Sequence, residues 1–453
     1  MGKLAIIGTG ISGLGCAHFL QRAHELTLFE KEARIGGHAN TIQIHEPTRS
    51  FPVDTGFMVY NERTYPLLTR LFASLDVRSR PTSMSFSLRH DPMGCEFRGT
   101  SLNSLFAQRC NLLRPRFWRF LLEVNRFNRE ASRALEEGEL GEGSLEDFLL
   151  ENRFGADFRN LYLLPIAGAV WSVPPGRILD FPAETLIRFF FNHGFLGFST
   201  HHQWLTVENG AREYVSKLTQ TLRARIRTGS GVQSVERNPD GVVVRTHDGA
   251  SESFDAVILA CHADQALRLL ARPDPREIEL LAPFAYEPNL ATVHTDPSVM
   301  PRTRRAWASW NYRASREPGA AGDSFSTHYW MNSLQRLPTR TDYFVSLNAG
   351  REVDPGRIIH RIQYRHPVFN SPAIRAQKSL PELNRRTGTR TFFCGSYFGY
   401  GFHEDGLRSA FDLTRELLGH DPWPAPSQAL GSSRAEQEPA DDPCTPAERI
   451  GSG

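Results

Sequence analysis

Lysine is nearly missing from this chain. Of 52 basic residues only Lys3, Lys31, Lys217 and Lys378 are lysine, and the rest are arginine. That imbalance follows genome composition, so a single arginine says little about function. A surplus of one charge sign is also lacking: the net charge of +2 excludes a general affinity for nucleic acid. The cysteines (Cys16, Cys95, Cys110, Cys261, Cys394 and Cys444) include no CxxC pair. Neither a metal site nor a disulfide framework is indicated, and a reducing compartment is expected. No apolar run reaches the length of a membrane span, since the greasiest, Phe181–Phe198, is broken by Glu184, Arg188 and His193. A strand that begins at residue 3 leaves no room for a signal peptide. The expected location is cytoplasmic, at most peripheral to the inner face of a membrane.

What the chain does have is concentrated at its start. The apolar run Leu4–Ile7 has a strand's length and enters Gly8-Thr9-Gly10-Ile11-Ser12-Gly13. A helical pattern follows, then a second strand, Leu26–Phe29, ending in Glu30. Strand, glycine turn, helix, strand and terminal acid in this order form the dinucleotide-binding fingerprint. Gly8 allows the tight turn, Gly10 lets the backbone approach a pyrophosphate, and Gly13 lets helix and strand pack closely. Glu30 is placed to accept both hydroxyls of an adenosine ribose, and Lys31 follows it.

The next stretch decides which dinucleotide. A second glycine pair, Gly36-Gly37-His38, comes at once, and then Val53-Asp54-Thr55-Gly56-Phe57-Met58. A nicotinamide domain would proceed to another helix and parallel strand. Here bare main chain continues past the pyrophosphate, as a large flat isoalloxazine ring requires. Two further blocks follow: Trp204–Gly210 with strands around Val232 and Val257, and Phe392–Ser396 with the glycine-rich loop to Ala410. Together the three blocks resemble the FAD-dependent superfamily of amine oxidases, protoporphyrinogen oxidase and phytoene desaturases. The resemblance implies FAD and an α/β fold: a discontinuous Rossmann-like FAD-binding domain (1–60, 204–275 and 385–421) with an interleaved α+β substrate domain (61–203 and 276–384). Composition makes 422–453 a disordered tail. In the family Val232 lies beside the adenine, and Gly395-Ser396, which replaces the usual Gly-Asp, meets the ribityl or phosphate. Glu404-Asp405-Gly406-Leu407 opens a helix facing the flavin's pyrimidine end. No second GxGxxG follows a strand, so no NAD(P)H site is expected.

The loop Tyr397–Asp405 is the expected catalytic face. If Asp405-Gly406 matches the family's acid-glycine pair, His403 falls where amine oxidases place a flavin-facing tyrosine. It would then move a proton near neutral pH, with Glu404, Tyr397 and Tyr400 beside it. Equally, His403 and Glu404 fix the loop by hydrogen bonds, and the tyrosines are packing. The lysine that amine oxidases hold near the flavin has no counterpart here. Tyr329–Gln335 suits an apolar pocket with a few orienting amides, or a plain core strand. Arg114–Leu122, basic and aromatic around Pro115, reads as a membrane-surface helix or as a helix packed on its own domain with solvated arginines.

More closely, GGHANT, PVDTGFMVYNERTYP, YWMNSLQ and CGSYFGYGFHEDGLRSA resemble a branch of FAD oxidoreductases found beside, or fused to, cyclopropane-fatty-acid-synthase-like methyltransferases. That implies a lipid acyl substrate and a methyltransferase partner. The leading expectation is a dehydrogenase or desaturase on a fatty-acyl chain. The rivals are an amine oxidase, a redox-neutral flavin isomerase and a non-catalytic flavin-bearing partner of the methyltransferase.

Overall fold

The computed structural model describes residues 2–141, 143–197, 202–316, 323–386 and 388–423; nearly all of the expected tail lies outside the described residues. A five-stranded sheet runs in the order Thr391–Phe393, Ala256–Leu259, Lys3–Ile7, Glu25–Phe29, Ala224–Arg227, with every neighbouring pair parallel. Its central strands are continuous apolar runs because both faces are covered: Ala5, Ile6, Val257, Ile258 and Leu259 are fully buried. The fingerprint helix, Ile11–Leu20, follows the first strand. The closing helix, His403–Leu418, lies against it where the sequence narrows to Gly15. A Cβ at that glycine would stand 3.0 Å from Leu407 Cδ1 and 3.2 Å from Ala410 Cβ.

A second sheet of seven strands is drawn from residues 86–98 and 285–368. Its order is Ile358–Val368, Ala285–His294, Phe344–Leu347, Asp323–Trp330, Trp310–Arg316, Phe86–His90, Cys95–Arg98. Its pairs are antiparallel except that between Trp310–Arg316 and Phe86–His90. Helices Pro115–Glu136, Leu164–Trp171 and Ala183–Asn192 contribute Phe117, Phe120, Phe127, Trp171, Phe189 and Phe190 to one apolar core with this sheet's Trp310 and Tyr312.

Trp204–Val207 pairs antiparallel with Ser79–Thr82. Tyr329–Gln335 is strand only in its first two residues: the strand stops at Trp330 and Met331–Leu334 forms a helical turn with both ends fully buried. Its amides are engaged inside the fold. Asn332 Oδ1 accepts from Tyr343 N, and Gln335 holds Asp54 from both sides.

Candidate active site

The fingerprint turn is built by three glycines with three different surroundings. Gly8 takes φ +105°, and a Cβ there would meet Ala260 O at 2.6 Å. At Gly13 the collision is worse, 1.9 Å from Gly8 O, which is how closely the helix crosses the strand. Gly10 differs: a Cβ added to it would find no protein atom within 4 Å. This glycine borders open space at the N-terminus of the fingerprint helix, where no side chain caps the helix and its first turn carries no acid. Unpaired N–H groups and the positive end of the helix dipole face that space, which is what a pyrophosphate needs.

Glu30 is buried at the end of the second strand, its carboxylate oriented by the Thr9 amide and hydroxyl and by the Glu32 amide. Gly231, next to Val232, approaches the Lys31 backbone, and Ser230 N donates to Glu30 O. The adenosine-side residues are thus together, although the Lys31 ammonium pairs with Glu32 at the surface.

The second glycine pair closes on the first. Gly37 has φ +58°, and its Cβ would be 3.0 Å from Gly10 Cα. Phe57 N donates to His38 O and Thr55 N to Asn40 O, while a Cβ at Gly56 would strike His38 O at 2.3 Å. Tyr364, from the second sheet, joins this zipper through hydrogen bonds with Thr55 and Asn40. Met58 points away, into the core of the second sheet with Met331 and Val345. At the closing end a Cβ on Gly406 would lie 2.8 Å from Ile11 Cγ2 and 2.9 Å from Ser12 Oγ, with Ser396 Cβ at 3.9 Å. Gly395 N donates to Ser409 Oγ. Leu407 is fully buried, so only its backbone is left for a ligand. This frame fits FAD on the structure's own terms: a phosphate-sized opening at Gly10, an oriented ribose acceptor at Glu30, and bare backbone between Gly36 and Gly56.

The expected catalytic side chains divide. His403 stacks on Phe57 at 3.9 Å, and its Nε2 is 3.1 Å from Tyr214 Oη. Burial lowers its pKa to about 3, so it is held neutral rather than poised near neutrality. Glu404 turns away from this face. Its two oxygens accept from Leu67 N and Leu68 N, capping helix Pro66–Ser74, and Arg408 bonds it as well. Tyr397 lies in the core against Phe284, beneath Gly395, and its carbonyl accepts from Gln377. Asp405 accepts from Phe402 N, and burial raises its pKa to about 7. Tyr400 alone joins an aromatic wall: Phe189 lies 5.6 Å from its ring and 5.2 Å from Phe402, and Trp171 Nε1 donates to its carbonyl.

A feature the sequence did not disclose is a cluster of histidines. His38 lies 5.4 Å from His366 and 6.4 Å from His262, ring to ring, and is flanked by Tyr364 at 4.9 Å; His262 stacks on Tyr286 at 4.2 Å. All three are partly buried and keep some accessible surface. His38 Nε2 and His262 Nδ1 are buried without a hydrogen-bond partner. Burial, reinforced by neighbouring positive charge and by one another, lowers these rings to about 4, 3 and 3 for His38, His262 and His366. Residues 38, 262 and 366 come from three distant stretches, and only GGH carried a signal.

None of the four lysines bonds to this cluster, although the Lys31 charge helps to lower His262. Lys3 pairs with Glu252, Lys31 with Glu32 and Lys217 with Asp76, while Lys378 is exposed. Among the described residues no cluster of His, Cys, Asp and Glu is arranged to hold a metal ion, and no helix is long and apolar enough to cross a membrane.

A dinucleotide fold with this second glycine turn and closing helix defines an FAD-dependent oxidoreductase. The chain belongs to the flavin containing amine oxidoreductase family, whose model matches residues 11–298. No curated protein matches the sequence. Among solved structures it is similar to putrescine oxidase bound to putrescine (13% identity, TM-score 0.66, 92% of this chain and 99% of that one). It is also similar to a fatty acid isomerase from P. acnes that produces CLA (15%, 0.64, 92% and 98%). A third is cyclohexylamine oxidase from Brevibacterium oxydans (16%, 0.65, 92% and 99%). At these identities the likeness is one of fold.

Proposed function

We propose that this flavoenzyme is a dehydrogenase or desaturase of an apolar, fatty-acyl substrate. The supporting observation is the wall beside the closing loop. Phe189, His193, Phe195, Tyr400 and Phe402 form a continuous aromatic surface, backed by Trp171. Burial holds His193 neutral, with a pKa of about 4. Such a surface gains free energy from a hydrocarbon chain, roughly 25 cal/mol per Å² removed from water. Solved structures of this fold act on amines and on a fatty acid alike, so the fold does not choose between them; the lining and the lysines at the surface favour the acyl chain.

FAD, when bound, supplies the acceptor for a hydride. The protein's own residues would hold the dinucleotide at Gly10, Glu30 and Gly37, and exclude water with the aromatic wall. A proton released with the hydride needs a neutral base within reach. His38, His262 and His366 meet that need better than His403, whose Nε2 is engaged by Tyr214. The resemblance to the methyltransferase-associated branch makes a methyl-branched chain the first candidate and the methyltransferase the first partner to try.

The test is an anaerobic absorbance spectrum of the FAD-loaded protein. Detergent-dispersed phospholipid with unsaturated or methyl-branched chains is added to one sample and putrescine or cyclohexylamine to another. Bleaching by lipid alone is the expected result. Bleaching by an amine overturns the reading. A shifted double bond without bleaching would make the protein an isomerase.

A further inference from the structure

We infer that the surface formed by the segment 102–122 docks on an anionic lipid bilayer. Monomeric proteins scatter their exposed apolar residues, and a cluster marks an interaction site. Here Leu102, Leu113 and Leu122 are 76%, 87% and 69% exposed, and Leu112 and Trp118 are about half exposed. They are neighbours in space as well as in sequence. Trp118 Nε1 donates to Leu112 O, which folds the Leu112-Leu113 turn against the helix Pro115–Glu136. Trp118 and Leu122 are one helical turn apart and share a face. Arg109 bonds Asn103, tying the neighbouring Leu102 to the same surface.

The other half of that helix is committed to the core, through Phe117, Phe120, Val124 and Phe127. The exposed leucines belong to no part of that core, and Trp118 packs against Phe106, at 5.3 Å between rings.

Charge selects the occupant. Among the described residues Arg114 and Arg119 flank the apolar patch without a carboxylate partner in hydrogen-bond range, and Arg109 bonds only neutral groups. Arg116 is the exception, held by both oxygens of Asp157. A protruding Leu-Leu turn and a Trp/Leu helix face ringed by arginines match a bilayer interface, where apolar tips enter the acyl boundary and guanidinium groups meet lipid phosphates. A protein partner would have to supply carboxylates to the same arginines. The location is useful. The helix packs on Ala183–Asn192, whose Phe189 touches Tyr400 and Phe402, so the patch is one helix removed from the aromatic wall. The choice of a bilayer rests on the acyl-substrate reading only in explaining why the enzyme would sit there; docking itself is tested without turnover.

The full FAD-loaded chain is co-sedimented with vesicles of phosphatidylcholine and with vesicles in which part of it is replaced by phosphatidylglycerol. Binding to the anionic vesicles, weakened by added salt, is expected. R114Q/R119Q should weaken it roughly thirty-fold, and L113S/L122S should weaken it on both vesicle types. All four positions are exposed, so FAD content should be unchanged, and flavin reduction by detergent-dispersed substrate should match the parent protein. No sedimentation with either vesicle overturns the proposal. So does binding that both variants retain, or a self-associated species in solution that L113S/L122S dissolves. Loss of lipid reduction with docking intact would count against the substrate reading and leave the surface standing.

Discussion

Gly10 and Gly13 stand three residues apart, and their neighbours predict opposite outcomes for one added methyl group. Gly10 has φ −68° and ψ −178°, a conformation open to any residue, and its Cβ would touch no protein. Gly10→Ala should fold with unchanged stability but lose FAD affinity by about ten-fold or more, because the methyl enters the space for the pyrophosphate. Gly13→Ala should fail to fold, since Gly8 O lies 1.9 Å from the new carbon. Cofactor titration and circular dichroism on the two variants separate a ligand-facing glycine from a packing glycine. Glu404 supports a similar contrast. Glu404→Gln keeps one acceptor of the cap on Leu67 and Leu68 but loses the charge beside Arg408. It should cost about 1–3 kcal/mol of stability while the rate of flavin reduction stays near that of the parent. A fall of a hundred-fold at full FAD content would restore Glu404 to the chemistry. For the histidines the expectation reverses: His262→Gln or His366→Gln should retain FAD and slow reduction about a hundred-fold, measured by stopped-flow. With pKa values of about 3 to 4, the activity of the parent should show no acid limb from these groups above about pH 6.

Between elements, the most consequential joint is Asp54. Its side chain accepts from Thr41 Oγ1, from Ala211 N and from Gln335 Nε2, and Gln335 Oε1 accepts from Asp54 N. One carboxylate thus binds the turn after the second glycine pair, the loop at Asn209-Gly210 and the helical turn at Met331–Leu334. Gln335→Ala should leave both Asp54 N and a carboxylate oxygen unsatisfied in a buried site, at about 2 kcal/mol or more, with weaker FAD retention because Thr55 and Gly56 adjoin the joint. Urea unfolding with FAD absorbance as a second probe measures both. This joint also shows what can be read from the chain alone. Leu4–Glu30 was legible because each glycine answers a local backbone demand and the strands are short apolar runs with fixed neighbours. VDTGF, Trp204–Gly210 and YWMNSLQ stood out as strings, but their common purpose was hidden, since the segments meet through contacts that span 157 and 281 residues. The histidine cluster was hidden for the same reason. His403 and Glu404 lay on the expected loop, yet which way each faces was set by helix Pro66–Ser74 and by Tyr214, and nothing in the loop's own spacing encodes that.

At the scale of the whole molecule, burial of neutral histidines dictates how stability should depend on pH. His38, His193 and His294 are lowered to about 4, and His262, His366 and His403 to about 3, and His328 is lowered as well, chiefly by burial. In the unfolded chain each would titrate near 6.5. Between those values the unfolded state binds protons that the folded state refuses, so stability rises with pH through that window and falls as the solution is acidified below about 6.5. Each such group contributes up to about 1.4 kcal/mol per pH unit. Asp54 and Asp405 act in the opposite sense: burial raises both to about 7, so the folded state holds protons that the unfolded chain releases above about 4. The histidines outnumber them, and the net slope keeps the sign of the histidine term. The FAD-loaded protein, at fixed excess FAD so that cofactor linkage is held constant, should therefore unfold at markedly lower urea at pH 5.5 than at pH 7.5. The loss should begin above the carboxylate range, where ordinary acid denaturation has yet to start. A flat urea midpoint between those two pH values would mean that the buried rings take up protons in the folded state as readily as in the unfolded chain. The cluster of His38, His262 and His366 would then already be charged, and the neutral base proposed for the reaction would not exist there.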